Sequence, residues 1–207
     1  MTTKIKHQDN CCMVDLNNAD GKSLKKVLLA VFFINFSMFL VEMVGGLTAR
    51  SNALLADSLD MLGDAIVYGI SIAVLSKHPS IRAKGSLVKG IIMLLLGIFV
   101  IGENIFKIAN PIVPIATTIT AIGLLALVAN AVSFVLLLKH RSKDLNVRSA
   151  WICSRNDVVA NVGVIIAGFL VARFNSMLPD MVIGLIIAFV VIKSSLTIIN
   201  ESLNHRK

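Results

Sequence analysis

The chain of 207 residues is 56% hydrophobic and only 15% charged, with a mean hydropathy of +0.83 and a formal net charge of +8. A soluble domain carries about a quarter charged residues, so this composition excludes a soluble globular protein and indicates a polytopic membrane protein. The basic excess is not a nucleic-acid footprint, because it clusters in the short connections between apolar runs, as cytoplasmic loops do.

Residues 1–26 read as a polar cytoplasmic tail holding Lys4, Lys6, Lys22, Lys25 and Lys26, with no short apolar core and cleavage site of a signal peptide. His7, Cys11, Cys12 and Asp15 lie close together there. They are either a capture site for a thiophilic cation or incidental residues of a tail, and their spacing is looser than metal motifs require. With Cys153 inside an apolar run, the three cysteines form no disulfide framework.

Residues 27–203 read as one all-α membrane domain of six helices, followed by a short cytoplasmic end at 204–207. The first span, 27–47, contains Asn35 and Glu42; an acid here either lines a pathway or hydrogen-bonds a neighbouring helix, and the packing role is favoured because Glu42 is near the outer end and can reach the interface. Gly45 and Gly46 lead into a turn through Arg50, Ser51 and Asn52. The second span, 54–75, reads LLADSLDMLGDAIVYGISIAVL. Its length suits a helix of about 20 residues crossing the hydrocarbon, yet it carries Asp57, Asp60 and Asp64.

A basic loop is expected over 77–89, with Lys77, Arg82, Lys84 and Lys89. The third span, 87–105, offers Gly90, Gly97 and Gly102 as close-contact positions, and Glu103 and Lys107 near its end are expected to reach the interface. Pro111 and Pro114 mark a turn before the fourth span, 115–138, which holds Asn130. A second basic loop from Lys139 to Arg148 precedes the fifth span, 147–171. A turn over Asn175 to Pro179 leads to the sixth, 181–199. Six spans put both termini on one side, and that side receives nearly all the loop lysines and arginines, so both termini are expected in the cytoplasm.

The acids of the second span are the feature to explain. Each ionised carboxylate near the bilayer centre costs about 2.5 kcal/mol or more, and spacings of three, four and seven place all three on one helical stripe. The fifth span presents Cys153 and Asp157 four residues apart, with Asn161 one turn further on. The two spans run antiparallel, so Asp64 and Asp157 fall at similar depth, and Asp60, Asp64, Cys153 and Asp157 form a candidate four-ligand metal site. Three carboxylates and a thiolate suit a four-coordinate divalent ion and favour Zn²⁺ over Mg²⁺ or Ca²⁺. Binding must displace protons from these ligands, which couples metal movement to proton movement. The alternative is that the acids hydrogen-bond between helices or pair with Arg155 and Lys193, but two cations are too few for them.

The runs VEMVGGLTARSNALLADSLDMLGDA, AWICSRNDVVANVGVIIAG and PDMVIGLIIAFVVIKSS resemble the first two, the fifth and the sixth spans of the cation diffusion facilitator family. The resemblance covers roughly residues 24–203. It implies a transport site at Asp60, Asp64, Cys153 and Asp157, with Asp57 an accessory acid and Cys153 standing where the family usually has histidine. It further implies a secondary transporter, not an enzyme, that exports Zn²⁺, with Cd²⁺ or Co²⁺, in exchange for protons by rocking helices. The chain is expected to be a short form without the family's cytoplasmic domain, to form a homodimer through its membrane domain, and to need no cofactor beyond its cargo. A bacterial inner membrane is the expected location.

Two readings from other classes stand beside it. One is an intramembrane aspartyl hydrolase using Asp64 and Asp157, which leaves Asp60 and Cys153 without roles. The other is a non-transporting metal sensor or assembly factor with His7, Cys11 and Cys12 as its receptor.

Overall fold

A computed structural model describes residues 21–73, 79–138 and 145–204. The tail residues His7, Cys11, Cys12 and Asp15 lie outside them, as do Lys77 and the basic residues from Lys139 to Lys143. The described residues form six helices: α1 (Gly21–Ala49), α2 (Asn52–Ala73), α3 (Pro79–Ala109), α4 (Ala116–Leu138), α5 (Leu145–Phe174) and α6 (Leu178–Asn204). No strand occurs among the described residues, so the all-α expectation holds.

The apolar runs located the helices but not all their ends. The expected loop at 77–89 is mostly helical, because α3 starts at Pro79. Proline suits a first helical position, where its missing N–H would have had no partner and its φ is already helical. Five of the six helices are long and apolar enough to cross a membrane. The exception, α2, has the length at 22 residues and is set apart by its three aspartates. The outward surface is apolar, with Phe33, Leu47, Leu95, Ile105, Phe169 and Phe189 all exposed. Polar residues such as Asn35, Asn130, Ser133 and Asn161 are inside. This is a multi-pass membrane protein, whose outer face is solvated by lipid rather than water.

Three antiparallel pairs, α1 with α2, α4 with α5 and α3 with α6, make the most extensive contacts, and α2 alone packs against all five other helices. Every residue from Ser51 to Leu59 is buried, so this half of α2 is enclosed on all sides. Small residues let the backbones approach. A Cβ on Gly46 would lie 3.0 Å from the Leu55 backbone nitrogen, and one on Gly184 would lie 2.7 Å from the Asn52 carbonyl carbon. Gly90 and Gly97 are close-contact positions as expected, meeting Ile199 and Ile192 of α6, whereas Gly102 faces open space with nothing within 4 Å. On α4 the buried residues Ile119, Gly123, Ala126, Asn130, Ser133 and Leu137 form one stripe at helical spacing.

The start of α2 is fixed by a buried polar junction. Helix α1 ends with Arg50 in the left-handed region at φ 54°. The Ser51 N–H donates to the Gly46 carbonyl at 2.8 Å and the Arg50 N–H to Leu47 at 3.4 Å, the paired bonds of a Schellman ending. Ser51 at once caps α2, its Oγ accepting from the Leu54 N–H at 3.1 Å. The next two orphan donors go to Asp180 on α6: the Asn52 N–H at 2.8 Å and the Ala53 N–H at 3.2 Å. The Ser51 hydroxyl also donates to Asp180, at 2.5 Å. Lys107 of α3 completes the junction, with Nζ 3.4 Å from Asp180 Oδ2 and a hydrogen bond to the Arg50 carbonyl. Lys107 therefore does not reach the interface. It is buried because a carboxylate and a carbonyl of the chain supply what headgroups and water would have supplied.

Candidate functional site

The stripe of acids on α2 begins two turns beyond this junction. Asp57 is buried, while Asp60 and Asp64 are partly buried. Three-residue and four-residue steps keep them on one helical face, and α2 packs against all five other helices.

Helix α1 adds a carboxyl for which the sequence leaves two roles open, lining a pathway or bonding a neighbouring helix. Glu42 is fully buried, and neither Oε1 nor Oε2 has a hydrogen-bond partner. It neither reaches the interface nor bonds a neighbouring helix. The register of α1 on α2 explains its position. Gly46 lies against Leu55, so one turn back along α1 puts Glu42 level with the stretch between Asp57 and Asp60. Those two aspartates are its charged neighbours, Asp57 the stronger. Burial of the Asp57 Oδ2 atom without a hydrogen bond repeats the anomaly on the facing helix.

Helix α5 brings Asp157 to the same row. Its strongest charged neighbour is Asp64, followed by Asp60 and then Asp57, and its side chain is hydrogen-bonded to that of Asp60. Asp64 and Asp157 are thus charged neighbours across the α2–α5 packing. A hydrogen bond between two carboxyls needs a proton on one of them, since a carboxylate only accepts. One turn further on, the buried Asn161 amide donates to the Asp157 backbone carbonyl at 2.9 Å, while its Oδ1 has no hydrogen-bond partner. Cys153 is on α5, one turn before Asp157, and its side chain lies outside the described residues, as does that of Arg155. Lys193 is exposed on α6.

Of the four residues singled out as ligands, the structure therefore draws Asp60, Asp64 and Asp157 to one interface. Among the described residues no three metal-capable side chains are close enough together to hold an ion as they stand. The acids form a row between α1, α2 and α5 rather than a closed cage. Chemically, such a row offers oxygen donors for a cation or for protons in a medium of low dielectric, where either occupant is held strongly. The sequence leaves the role of Glu42 open between pathway and packing, because a single sequence gives spacing along a helix but not the register between two. Gly45 and Gly46, one turn beyond Glu42, were the available signal that this face of α1 meets another backbone.

A family model described as the cation efflux transmembrane domain matches residues 28–205. The zinc transporter ZitB of Escherichia coli is 29% identical over 191 residues, which cover 86% of this chain and 61% of the relative. The cadmium, cobalt and zinc/H(+)-K(+) antiporter of Bacillus velezensis is 26% identical over 202 residues, covering 91% of this chain and 64% of the relative. The metal cation efflux system protein CzcD of Cupriavidus metallidurans is 25% identical over 181 residues, covering 81% and 57%. The chain spans about three fifths of the length of the curated relatives it matches.

Proposed function

The chain belongs to the cation efflux family, and from that premise we propose that it exports divalent transition-metal cations from the cytoplasm in exchange for protons. Zn²⁺ is the proposed cargo, with Cd²⁺ and Co²⁺ as further ions. The reading is supported by the names of its relatives, and one observation carries it: the hydrogen bond between Asp157 and Asp60 within a row of acids inside a lipid-facing bundle. Three-dimensional convergence of carboxyls from two helices is costly in a membrane unless a cation or protons occupy them.

In this reading Asp60, Asp64, Cys153 and Asp157 bind the ion. The thiol gives the site its preference for softer metals, and the carboxylates give it charge. A cation entering between Asp60 and Asp157 must displace the proton their hydrogen bond requires, so binding the metal releases a proton and reloading the proton expels the metal. Alternating access then needs the row to open towards one end of the bundle at a time. The α3–α6 pair, packed on α2 mainly through α6, is the natural moving unit against α1, α2, α4 and α5. The termini face the cytoplasm of a bacterial inner membrane, because the basic connections lie at that end, and the working form is a homodimer through the membrane domain. Family membership points to a transporter rather than to the hydrolase weighed from the sequence.

The test is uptake of Zn²⁺, Cd²⁺ and Co²⁺ into inverted membrane vesicles under an imposed pH gradient. Gradient-driven uptake is expected in the wild type and lost in Asp64→Ala and Asp157→Ala, and Cys153→His is expected to change the ranking of ions. Well-expressed protein without gradient-linked uptake of any of the three ions overturns the reading.

A further inference from the structure

Among the described residues, Glu42 is the buried acid with neither carboxyl oxygen hydrogen-bonded. A fully buried carboxyl normally has donors on both oxygens, because leaving it unpaired in a low-dielectric interior costs several kcal/mol or about that order. Glu42 has a donor on neither, and the facing Asp57 leaves Oδ2 in the same condition. Protonation does not cure this, since a carboxylic O–H also needs an acceptor. A single cation lying between α1 and α2 would meet an oxygen of each acid.

We infer that Glu42 of α1 and Asp57 of α2 form a second divalent-cation station, separate from the ligand set of Asp60, Asp64, Cys153 and Asp157. The inference rests on the reading of the chain as a cation carrier but not on which residues make the principal site. Its position follows from the helix register. Asp57 is one turn nearer the Ser51–Asp180 junction than Asp60, and two turns nearer than Asp64, so the station lies between the principal site and the sealed end of α2. An ion leaving the principal site towards that end meets Glu42 and Asp57 next. The donors are carboxylate oxygens alone, without a thiol, so the station binds more weakly than the principal site and discriminates less between hard and soft ions. Two carboxylates leave coordination positions for water, so the ion is held partly hydrated.

The experiment is a calorimetric Zn²⁺ titration of the full-length chain in nanodiscs, with Cys11→Ser and Cys12→Ser introduced so that the tail thiols do not contribute. Two binding phases are expected. Glu42→Gln, and independently Asp57→Asn, should remove the weaker phase and leave the tighter one within about twofold of its affinity. Asp64→Asn with Asp157→Asn should remove the tighter phase and keep the weaker. Both amide substitutions are close to isosteric and delete a buried charge, and the two variants report on the station from different helices, so one that fails to fold leaves the other decisive. A single phase, abolished by Asp64→Asn with Asp157→Asn and untouched by Glu42→Gln and Asp57→Asn, overturns the inference and leaves the carrier reading intact. No Zn²⁺ binding by the starting protein overturns both.

Discussion

Lys107 Nζ lies 3.4 Å from Asp180 Oδ2, with 7% and 0% of the two side chains exposed. Through this pair and the hydrogen bonds around it, the ends of α1 and α3 and the starts of α2 and α6 meet at one carboxylate. Removing the cation alone strands a buried charge, which costs about 3–5 kcal/mol. Lys107→Met should therefore lower the thermal unfolding temperature of the detergent-solubilised protein markedly. Lys107→Arg, which keeps the charge, should lose much less. Equal, small losses in both would show that the pair is not what holds the junction.

Ser51 contributes to the same junction by a different mechanism, donating to Asp180 and accepting from the Leu54 N–H. Ser51→Ala deletes the cap and is expected to cost about 1–2 kcal/mol. Because both residues serve the first turn of α2, Ser51→Ala and Asp180→Asn should not be additive. A double-mutant cycle on unfolding should return a coupling of about 0.5–3 kcal/mol. A coupling near zero would mean that the short Ser51–Asp180 contact carries no energy of its own.

The junction also shows where sequence reading stops. Long apolar runs located all six helices, and Pro111 and Pro114 marked the turn before α4, whereas Pro179, expected in a turn, lies in the first turn of α6. The α2 aspartates were legible as a stripe because their spacing lies within one helix. The positions of Glu42 and Lys107 were not, because whether a long charged side chain snorkels or turns inward depends on what lies across the bundle. Asp180 supplies the partner of Lys107, while Glu42 is enclosed with neither oxygen hydrogen-bonded, and neither situation leaves a trace in local spacing. Asp180 did carry a local signal, an acid in the first turn after Pro179, but that signal marks a helix start and says nothing of the second helix it also caps.

Helix approach gives a prediction with its own control. A Cβ on Gly46 would sit 2.9 Å from Leu55 Cδ2 and 3.0 Å from the Leu55 nitrogen, while one on Gly102 meets nothing within 4 Å. The backbone of α2 cannot step aside without disturbing the acid row, so Gly46→Ala should destabilise by about 1–3 kcal/mol and slow metal uptake. Gly102→Ala should be neutral or slightly stabilising, since alanine is the better helix former by roughly 1 kcal/mol. Unfolding temperatures and vesicle uptake measured side by side check both, and a neutral Gly46→Ala would contradict the close approach that sets Glu42 opposite Asp57.

The hydrogen bond from Asp157 to Asp60 makes the most direct prediction about coupling. A hydrogen bond shared by two carboxyls requires a proton on one of them, which a bound metal would displace. Zn²⁺ added to lightly buffered wild-type protein should therefore release protons, visible with a pH indicator. In Asp60→Asn the amide can donate to Asp157 without any titratable proton, so the site keeps its hydrogen bond but loses one source of the released charge. The expected result is weaker binding and a release lower by about one proton for each Zn²⁺ bound. Conservative Asp60→Glu should retain the release while altering affinity, which separates loss of the proton from loss of shape. An unchanged release in Asp60→Asn would place the exchanged proton elsewhere. The coupling would then run through Asp64 or Cys153 rather than through the α2–α5 carboxyl pair.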